Sequence, residues 1–462
     1  MSNLDAIVST LDESVVPGLG YSLNTQQTAS YVRERHFSTF YPSGSNVYSV
    51  ASGQRVLRFL ISDGSKSYLD LNTIRLCFDI TNTTATDGKN LLLSGEHAAC
   101  LFSRLTVRIA GVDVEDILYY NRYVGMLQNF RSVNSSRSSG INGVLTGTGT
   151  AGLSFDTTIA EPIPRNATRT IICELPCGLL QSHYLLPLAQ FPLELVLELV
   201  RSPSDVCMPG VTGANSTDFK IENASIKADT LTLDSAMDNT ISEALLQGRP
   251  LSLSISSWNN QYFQLANLPA DRASWSVVMS RSFSRLQSIF INFLPDMTKV
   301  TAGIWTESNL FSCWHGGSPF NAAPAIPTYN KARDTFRFSL YAGARAWPTV
   351  PMASLGEGYY QLQKCIGQLQ SETGTKIGSN YRSTNFHMAI DLEKVSSTPA
   401  SGGMAFTGLN TKASNDQLRF QFDDVTSLDS DDNNRCIPQR MYVFAHHSIL
   451  VELRAEGVLV AT

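Results

Sequence analysis

Residues 100–116 read CLFSRLTVRIAGVDVED, and this stretch decides the fold class. Leu105, Val107 and Ile109 alternate with polar side chains, as they do in a strand that buries one face. An Ala-Gly pair follows, and a second run then alternates valine with acidic residues. The stretch therefore predicts an antiparallel β-hairpin.

The same period of two recurs along most of the chain. Four leucines share one face if residues 192–200 are extended. A helix there would gather Glu194 and Glu198 on one side, and the flanking prolines favour the strand. Further alternating runs lie at residues 74–80, 251–255, 289–293, 336–340, 387–390, 418–422, 441–444, 451–453 and 458–460. Many short strands between polar turns predict antiparallel β-sandwiches.

Two segments have the helical period instead, and they resemble one another. Apolar residues stand at i, i+3, i+7 and i+10 in both, at Ile117, Tyr120, Val124 and Leu127 and again at Tyr359, Leu362, Ile366 and Leu369. An alternating strand that ends in Ala-Gly precedes each helix, with a longer loop at residues 344–355 in the second copy. The repeat predicts two tandem β-rich domains with one short helix in each. We expect an N-terminal arm at residues 1–44, a first domain at 45–245 and a second at 246–462.

The length of the chain and its low content of charged residues agree with two domains whose surfaces carry few charges. The chain has 462 residues, and a single core stops growing at roughly 250 to 300 residues. Only 16% of the residues are charged and the net charge is −5, which excludes a strongly basic nucleic-acid binder. Since serine, threonine and asparagine take the place of charged residues, the surface suits contacts between subunits.

The sequence also makes predictions about cellular location. Residues 1–20 carry no basic stretch and no long apolar run, so we expect synthesis in the cell interior without export by a signal peptide. The apolar stretch at 184–200 is interrupted by Gln190, Pro192, Glu194 and Glu198, which excludes it as a membrane span. Eight cysteines without a CxxC pair predict reduced thiols.

Two motif-like patterns are judged fortuitous. Gly147, Gly149 and Gly152 spell GxGxxG, but a Ser/Gly-rich loop precedes them and no helix pattern follows, so no dinucleotide site is predicted. Asp429 and Asp431 imitate the start of a calcium loop that lacks its glycine and its final glutamate. We predict flexible loop at the first and a solvated acidic turn at the second.

Catalytic and metal-binding residues are not predicted anywhere. His446 and His447 are adjacent in a predicted strand, so they point to opposite faces and cannot share a metal; we expect one in the core and one at the surface. Cys173 and Cys177 are interpreted as buried small side chains and not as a nucleophile. No cofactor is expected.

The order of elements resembles the double jelly-roll major capsid proteins of double-stranded DNA viruses, with the closest likeness to those of polinton-like viruses and virophages. The segments that carry the likeness are residues 100–116 with the Tyr-rich helix after them, PLELVLELVRS at 192–202, EGYYQLQ at 357–363, DLEK at 391–394 and TGLN at 407–410. The resemblance implies two eight-stranded antiparallel jelly rolls in tandem, and a homotrimer that forms a pseudo-hexagonal capsomer of an icosahedral capsid.

The resemblance also implies partners. These are neighbouring capsomers, penton proteins and minor capsid proteins in the virion, with the N-terminal arm on the inner side against a membrane, a minor protein or another capsomer. Loops at residues 132–158 and 295–329 are expected at the outer end or between subunits, and residues 203–217 form a third excursion. Specific nucleic-acid binding is not expected.

Two other function classes stay open. One is a carbohydrate-binding or adhesive β-sandwich, for which exposed aromatic residues are the usual sign; the candidates are Trp258, Trp275, Trp305, Trp314 and Trp347. The other is a jelly-roll enzyme that cleaves glycans. It needs clustered carboxylates, and the sequence does not bring Glu174, Glu194, Glu198 and Asp391 together.

Overall fold

The computed structural model describes residues 32–64, 66–91, 93, 97–130, 163–207, 215–265, 272–294, 337–367, 387–393, 408–413, 416–426 and 440–461. Strands of the first half are β1 (Val32–Phe40), β2 (Val47–Tyr48), β3 (Val56–Ile61), β4 (Ser67–Asp70), β5 (Arg75–Asn82), β6 (Phe102–Ile109), β7 (Val112–Leu118), β8 (Thr168–Cys173), β9 (Leu185–Pro187), β10 (Leu193–Leu199) and β11 (Phe219–Leu233). Strands of the second half are β12 (Leu251–Gln264), β13 (Arg272–Met279), β14 (Leu286–Leu294), β15 (Arg337–Ala342), β16 (Arg345–Met352), β17 (His387–Asp391), β18 (Leu418–Thr426), β19 (Arg440–Arg454) and β20 (Gly457–Ala461).

Three α-helices and three short 3-10 helices complete the described part of the chain. The α-helices are α1 (Tyr120–Phe130), α2 (Ser235–Leu246) and α3 (Leu355–Cys365). The 3-10 helices are Leu71–Thr73, Ala98–Leu101 and Pro203–Asp205.

Each half is a jelly roll of two antiparallel sheets. In the first jelly roll, one sheet contains β1-β11-β5-β8 in spatial order and the other contains β3-β10-β6-β7. In the second jelly roll, the corresponding sheets are β12-β19-β14-β17 and β13-β18-β15-β16. Strands β2, β4 and β9 extend the first sheet of the first half, and β20 extends that of the second. The predicted fold class, two tandem eight-stranded jelly rolls, is confirmed.

The two sets of eight strands correspond one to one in chain order. The helix between the fifth and sixth strands is α1 in the first jelly roll, between β7 and β8, and α3 in the second, between β16 and β17. The spatial neighbours also correspond, because β11 and β19 both lie second in their sheets and β10 and β18 do the same. The duplication predicted from two helices and two hairpins therefore extends to the whole strand order. We keep residues 245–246 as the proposed domain boundary.

The hairpin that decides the fold class lies at β6 and β7. Its turn residues Ala110 and Gly111 have φ of 48° and 81°, the pair of positive values that a tight primed turn requires. Leu105, Val107 and Ile109 are fully buried, as the alternation predicts. They pack in the space between the sheets, where the ring of Phe102 meets that of Phe78 at 6.2 Å.

The predicted arm at residues 1–44 is wrong in its last part. Residues 32–40 form β1, which pairs with β11 from Val32 opposite Leu233 to Phe40 opposite Ile226. The strand was missed because its side chains are mostly exposed on both faces, so polar and apolar residues do not alternate along it. The first jelly roll therefore begins at or before residue 32, and residues 1–31 lie outside the described part.

The predicted loop at residues 344–355 is also wrong, since most of it is strand β16. This strand pairs with β15, with Trp347 opposite Leu340. Pro348 and Pro351 concealed it, because proline in the middle of a sheet would remove a ladder hydrogen bond. Strand β16 lies at the edge of its sheet, where a missing N–H is tolerated.

Helix α2 follows β11 and was not predicted. The side chain of Asp234 accepts a hydrogen bond from the backbone N–H of Ala236 at 3.4 Å and so caps its first turn. Within the helix, the buried Asp238 accepts a hydrogen bond from the Tyr68 hydroxyl of β4 at 2.9 Å. The helix is thus attached to the first jelly roll just before the chain enters the second.

Candidate functional site: an assembly interface

The contact between the two jelly rolls lies on one face of the β12-β19-β14-β17 sheet. Residues directly opposite one another in an antiparallel pair share a face. Trp258 is opposite His446, and Asn260 is opposite Phe444. The other face belongs to the core, since its Phe293 lies 5.3 Å from Phe422 of the facing sheet. The face with Trp258 is therefore the outer face of the second jelly roll.

Helix α1 of the first jelly roll covers this outer face with aromatic contacts. The ring of Tyr123 lies 4.9 Å from that of Trp258, and Phe130 lies 5.5 Å from Phe290. Trp258 in turn stacks on His446 at 4.5 Å. Such aromatic pairs add about 0.5–1.5 kcal/mol each beyond the area that they bury.

A buried histidine adds directional hydrogen bonds to the same contact. His387 of β17 lies between Asn129 of α1 and Asn292 of β14, at 3.0 Å and 2.7 Å. Its Nδ1–H donates to the side-chain oxygen Oδ1 of Asn292, and its Nε2 accepts from the side-chain Nδ2 of Asn129. The neutral ring therefore fits both partners. Burial lowers the pKa of His387 to about 3. The ring is neutral at pH 7 and fixes α1 against the second jelly roll.

A buried carboxylate lies at the other side of the junction. Glu115 of β7 accepts hydrogen bonds from the backbone N–H groups of Gly178 and Leu179, at 3.1 Å and 2.6 Å. Burial raises its pKa, and hydrogen bonds from the backbone and from Ser257 of β12 act against that shift. Gly178 itself lies against the backbone of Ser256, where a Cβ atom would collide with the carbonyl oxygen. The two halves are thus in direct backbone contact at this point.

Sequence reasoning missed these junction residues. It identified the α1 stripe as helical but did not say what the stripe packs against. A signal was present, because α1 carries Tyr123 and Phe130 as well as the stripe at Tyr120, Val124 and Leu127, which is more apolar surface than one sheet can cover. Most residues of α1 are buried as a result. Nothing in the sequence marked Gly178 or Glu115.

The motif-like patterns contribute no site within the described residues. Gly147, Gly149 and Gly152 lie outside them, as do Asp429 and Asp431. Cys173 and Cys177 are buried, and burial raises the pKa of both thiols, so they are poor nucleophiles. In the described part of the chain, no three His, Cys, Asp or Glu side chains are grouped as metal ligands.

The adjacent histidines are both covered by aromatic rings. His447 is buried and its ring lies 4.8 Å from that of Phe283, whereas His446 is half-buried against Trp258. Burial lowers the pKa of His446 to about 4 and that of His447 to about 3. They do point to opposite faces, but the expected surface histidine is covered by the junction.

The four carboxylates considered for glycan cleavage are held in separate places. Glu194 pairs with Arg58 and Arg108 on the outer face of the β3-β10-β6-β7 sheet, and Glu198 lies 3.8 Å from Arg55 on the same face. Asp391 lies in β17 of the other jelly roll, 3.9 Å from Lys364. Glu174 follows β8. The structure does not bring them together.

The tryptophans considered for glycan binding have diverse surroundings. Trp258 belongs to the junction, and Trp275 is stacked on Phe422 in the core at 4.9 Å. Trp347 is half-buried and lines a cleft of about 280 Å³ with Arg345 and Asp416. Trp305 and Trp314 lie outside the described residues. Among the helices that the structure describes, none is long and apolar enough to cross a membrane.

Comparisons with known proteins find likeness in structure alone. No family model and no curated protein matches the sequence. VP54 of PBCV-1, in a structure fitted into a reconstruction of the virophage Sputnik, matches with a TM-score of 0.60 at 12% identity over 94% of this chain and 99% of that one. A chain in the cryo-EM structure of the Sputnik virophage gives 0.56 at 11% identity, over 96% and 92%. The Faustovirus major capsid protein gives 0.56 at 9% identity, over 96% of each chain. The chain shares their fold almost from end to end.

Proposed function

We propose that this chain is the major capsid protein of an icosahedral double-stranded DNA virus, in which three copies form a pseudo-hexagonal capsomer. The observation that carries the proposal is the pair of jelly rolls with identical strand order, joined side by side through α1. The structural likeness to the Faustovirus major capsid protein over 96% of each chain supports the same role.

The duplication explains why a trimer would tile a shell. A ring with six similar sides needs six single jelly rolls, or three chains that carry two each. Closed cyclic symmetry is the norm for homo-oligomers, and a three-fold ring of such chains presents six similar outer sides. Six sides let each capsomer contact six neighbours in a hexagonal layer, which can cover a shell between its five-fold vertices.

The partners follow from this role. We place the protein in the virion, in contact with neighbouring capsomers, penton proteins and minor capsid proteins, and without enzymatic activity. Residues 1–31 would face the interior. The low charge of the chain supports extensive subunit contact, since the centres of protein interfaces are depleted in charged residues.

The test is the mass and shape of the purified protein. We expect light scattering after size exclusion to give three times 50.6 kDa, and negative-stain images to show hexagonal outlines. We expect the removal of residues 143–152, part of the loop that is expected at the outer end or between subunits, to leave that trimer intact. A monodisperse monomer at micromolar concentration would contradict the capsid assignment.

The carbohydrate-binding alternative is supported by one observation, the cleft at Trp347. An aromatic ring beside Arg345 and Asp416 is the kind of surface that a sugar ring can contact. A glycan array with the native protein and with Trp347→Ala separates the two functions. Binding that is lost in Trp347→Ala would favour the alternative, and a blank array with a trimeric protein would exclude it.

A further inference from the structure

The two jelly rolls differ in what covers the outer face of their equivalent sheets. In the second jelly roll, α1 covers the outer face of β12-β19-β14-β17. In the first, the outer face of β1-β11-β5-β8 carries exposed apolar side chains: Phe37 of β1 is 68% exposed and Ile172 of β8 is 41% exposed. Among the residues that the structure describes, the same surface of the same fold is therefore covered in one half and open in the other.

The strand register places these residues on one outer face. Phe37 is opposite Asp229 and Ile172 is opposite Cys77, whereas the neighbouring Phe78 points into the core against Phe102. Lys227 of β11 lies over the Phe37 ring at 5.7 Å. The open face is thus a mixed surface, with Phe37 beside Lys227 and Ile172 two strands away from that lysine.

Helix α3 occupies the place in the second jelly roll that α1 occupies in the first. Helix α1 is buried on nearly all sides, since one side packs on its own jelly roll and the other on the second. Helix α3 packs Leu362 inward but leaves Gly356, Glu357 and Tyr360 exposed, the last at 52%. The side of α1 that packs against the second jelly roll is buried, whereas α3 has an exposed side that packs against nothing among the described residues.

We propose that α3 of one copy lies on the outer face of β1-β11-β5-β8 of a second copy, as α1 lies on the second jelly roll within the chain. Tyr360 packs against Phe37, and the Glu357 carboxylate approaches Lys227, which lies over the Phe37 ring. The inference rests on the proposed function and deepens it by assigning the contact between subunits. Because the two surfaces differ, the contact is head-to-tail and closes into a ring.

The composition of the two faces fits this assignment. The covered face of the second jelly roll carries the buried Phe290 and Phe444 and the half-buried Trp258. The open face of the first must remain soluble until a second copy arrives, so it combines isolated apolar anchors with charged residues. Interfaces between separately folded partners have such a mixed composition, with aromatic anchors among polar groups.

Photo-crosslinking identifies the partner of the open face directly. We would replace Phe37 with p-benzoylphenylalanine in the full chain, irradiate the purified oligomer, and map the crosslinked peptides by mass spectrometry. Crosslinks to the α3 peptide of a second chain are expected. Crosslinks to residues 32–40 of a second chain would show a two-fold contact, and crosslinks to any other peptide would show another neighbour; either result overturns the proposal.

Charge substitutions measure the contribution of the same contact. Phe37→Asp and Tyr360→Asp should each raise the concentration at which half of the chains are in trimers by at least about thirtyfold, the effect of losing one interface hot spot. Leu60→Asp and Val350→Asp are the controls, because these side chains are 55% and 77% exposed on other sheets, in β3 and β16. They should shift that concentration less than about threefold.

The outcomes separate this inference from the proposed function. A native trimer that dissociates in Phe37→Asp and Tyr360→Asp but not in the controls supports both. A native trimer that withstands both substitutions, or that dissociates only in the controls, overturns the α3 contact and leaves the capsid role intact. A native chain that stays monomeric overturns both.

Discussion

The two jelly rolls share one strand order but are filled with different side chains. The first core is largely aliphatic, with Leu76, Ile80, Leu105 and Val107 between its sheets. Five cysteines are buried in the same half: Cys77, Cys100, Cys173, Cys177 and Cys207. The second core is aromatic, with Trp275, Phe293, Phe338 and Phe422 in mutual contact. One topology is thus compatible with quite different packing, provided that the inward positions of each strand are apolar.

The same comparison extends to buried ionisable groups, which respond to pH in opposite directions. In the first half, burial raises the pKa of Glu115, so this group keeps a proton to higher pH in the folded state than in the unfolded chain. In the second half, burial lowers the pKa of His387, His446 and His447, so the folded state prefers the neutral base. A lower pH therefore favours the folded state through Glu115 in the first half and disfavours it through the three histidines in the second half. The junction between the halves contains groups of both kinds.

The largest effect is expected where the halves touch through their backbones. A Cβ atom at Gly178 would collide with the Ser256 carbonyl oxygen and lie 2.7 Å from the carbonyl carbon. Backbone atoms cannot turn away as a flexible side chain can. Gly178→Ala should lower the free energy of unfolding by about 3 kcal/mol or more, because it overfills a packed site and disturbs the N–H groups that bind Glu115.

Gly356→Ala is the matched control in α3. A Cβ there meets nothing within 4 Å, and alanine in a helix is about 0.5–1 kcal/mol more favourable than glycine. Calorimetry of the two variants should show a large fall in Tm for Gly178→Ala and a small rise for Gly356→Ala. Equal melting of Gly178→Ala and the native chain would mean that the halves are not in contact at Ser256.

The next effect concerns the aromatic contact that joins the halves. Tyr123 is fully buried against Trp258 and Phe444, so Tyr123→Ala should cost about 3–5 kcal/mol by loss of burial and formation of a cavity. Tyr41→Ala removes an exposed ring and should change stability by less than about 0.5 kcal/mol. Urea titration of both variants measures the difference. Similar midpoints would argue against a packed junction.

The strand pattern could be predicted from the sequence because most strands bury one face. The alternations at 74–80, 192–200 and 418–422 correspond to β5, β10 and β18. The runs at 441–444 and 451–453 turned out to be parts of one strand, β19, whose intervening residues His446 and His447 gave no alternating pattern. Strands at edges, such as β1 and β16, could not be recognised because exposed faces and prolines replace the pattern there.

The junction could not be predicted because it depends on which elements meet across the duplication. Alternation shows that a residue is inward or outward in its own sheet, but Trp258 is outward in its sheet and covered by α1. The glycine at 178 looks like any turn glycine until the strand that faces it is known. Contacts of this kind arise from the placement of whole domains, which no local period encodes.

The next prediction concerns the pH dependence of stability, which should differ between the two halves. Histidine in the unfolded chain has a pKa of about 6.5, and the three buried histidines have folded values of about 3 to 4. The unfolded state therefore gains protons first on acidification. Their contribution is complete above about pH 6.5 and is lost as the pH falls toward 4, at a cost of at most about 2 kcal/mol per histidine between pH 7 and pH 5.

Tryptophan fluorescence reports on the second half and on the junction, because all five tryptophans lie at or after residue 258 and Trp258 packs on Tyr123. Urea midpoints measured by fluorescence should fall between pH 7 and pH 5 more than those measured by circular dichroism, which reports both halves. His387→Gln should reduce this pH dependence, whereas His183→Gln, at an exposed position, should leave it unchanged. A fluorescence midpoint independent of pH would contradict the neutral buried histidines.

The smallest effect distinguishes two buried tyrosines of the first half that differ in their hydroxyl partners. The Tyr68 hydroxyl donates to Asp238 at 2.9 Å, while the Tyr120 hydroxyl in α1 is buried with no hydrogen-bond partner among the described residues. Tyr68→Phe should therefore cost about 1–2 kcal/mol, whereas Tyr120→Phe should be neutral or stabilising by up to about 1 kcal/mol, since it removes an unsatisfied polar group. Paired urea titrations decide the sign. A loss of stability in Tyr120→Phe would reveal a hydrogen-bond partner for that hydroxyl. The side of α1 that faces the first jelly roll would then be polar, whereas the side that faces the second jelly roll is aromatic.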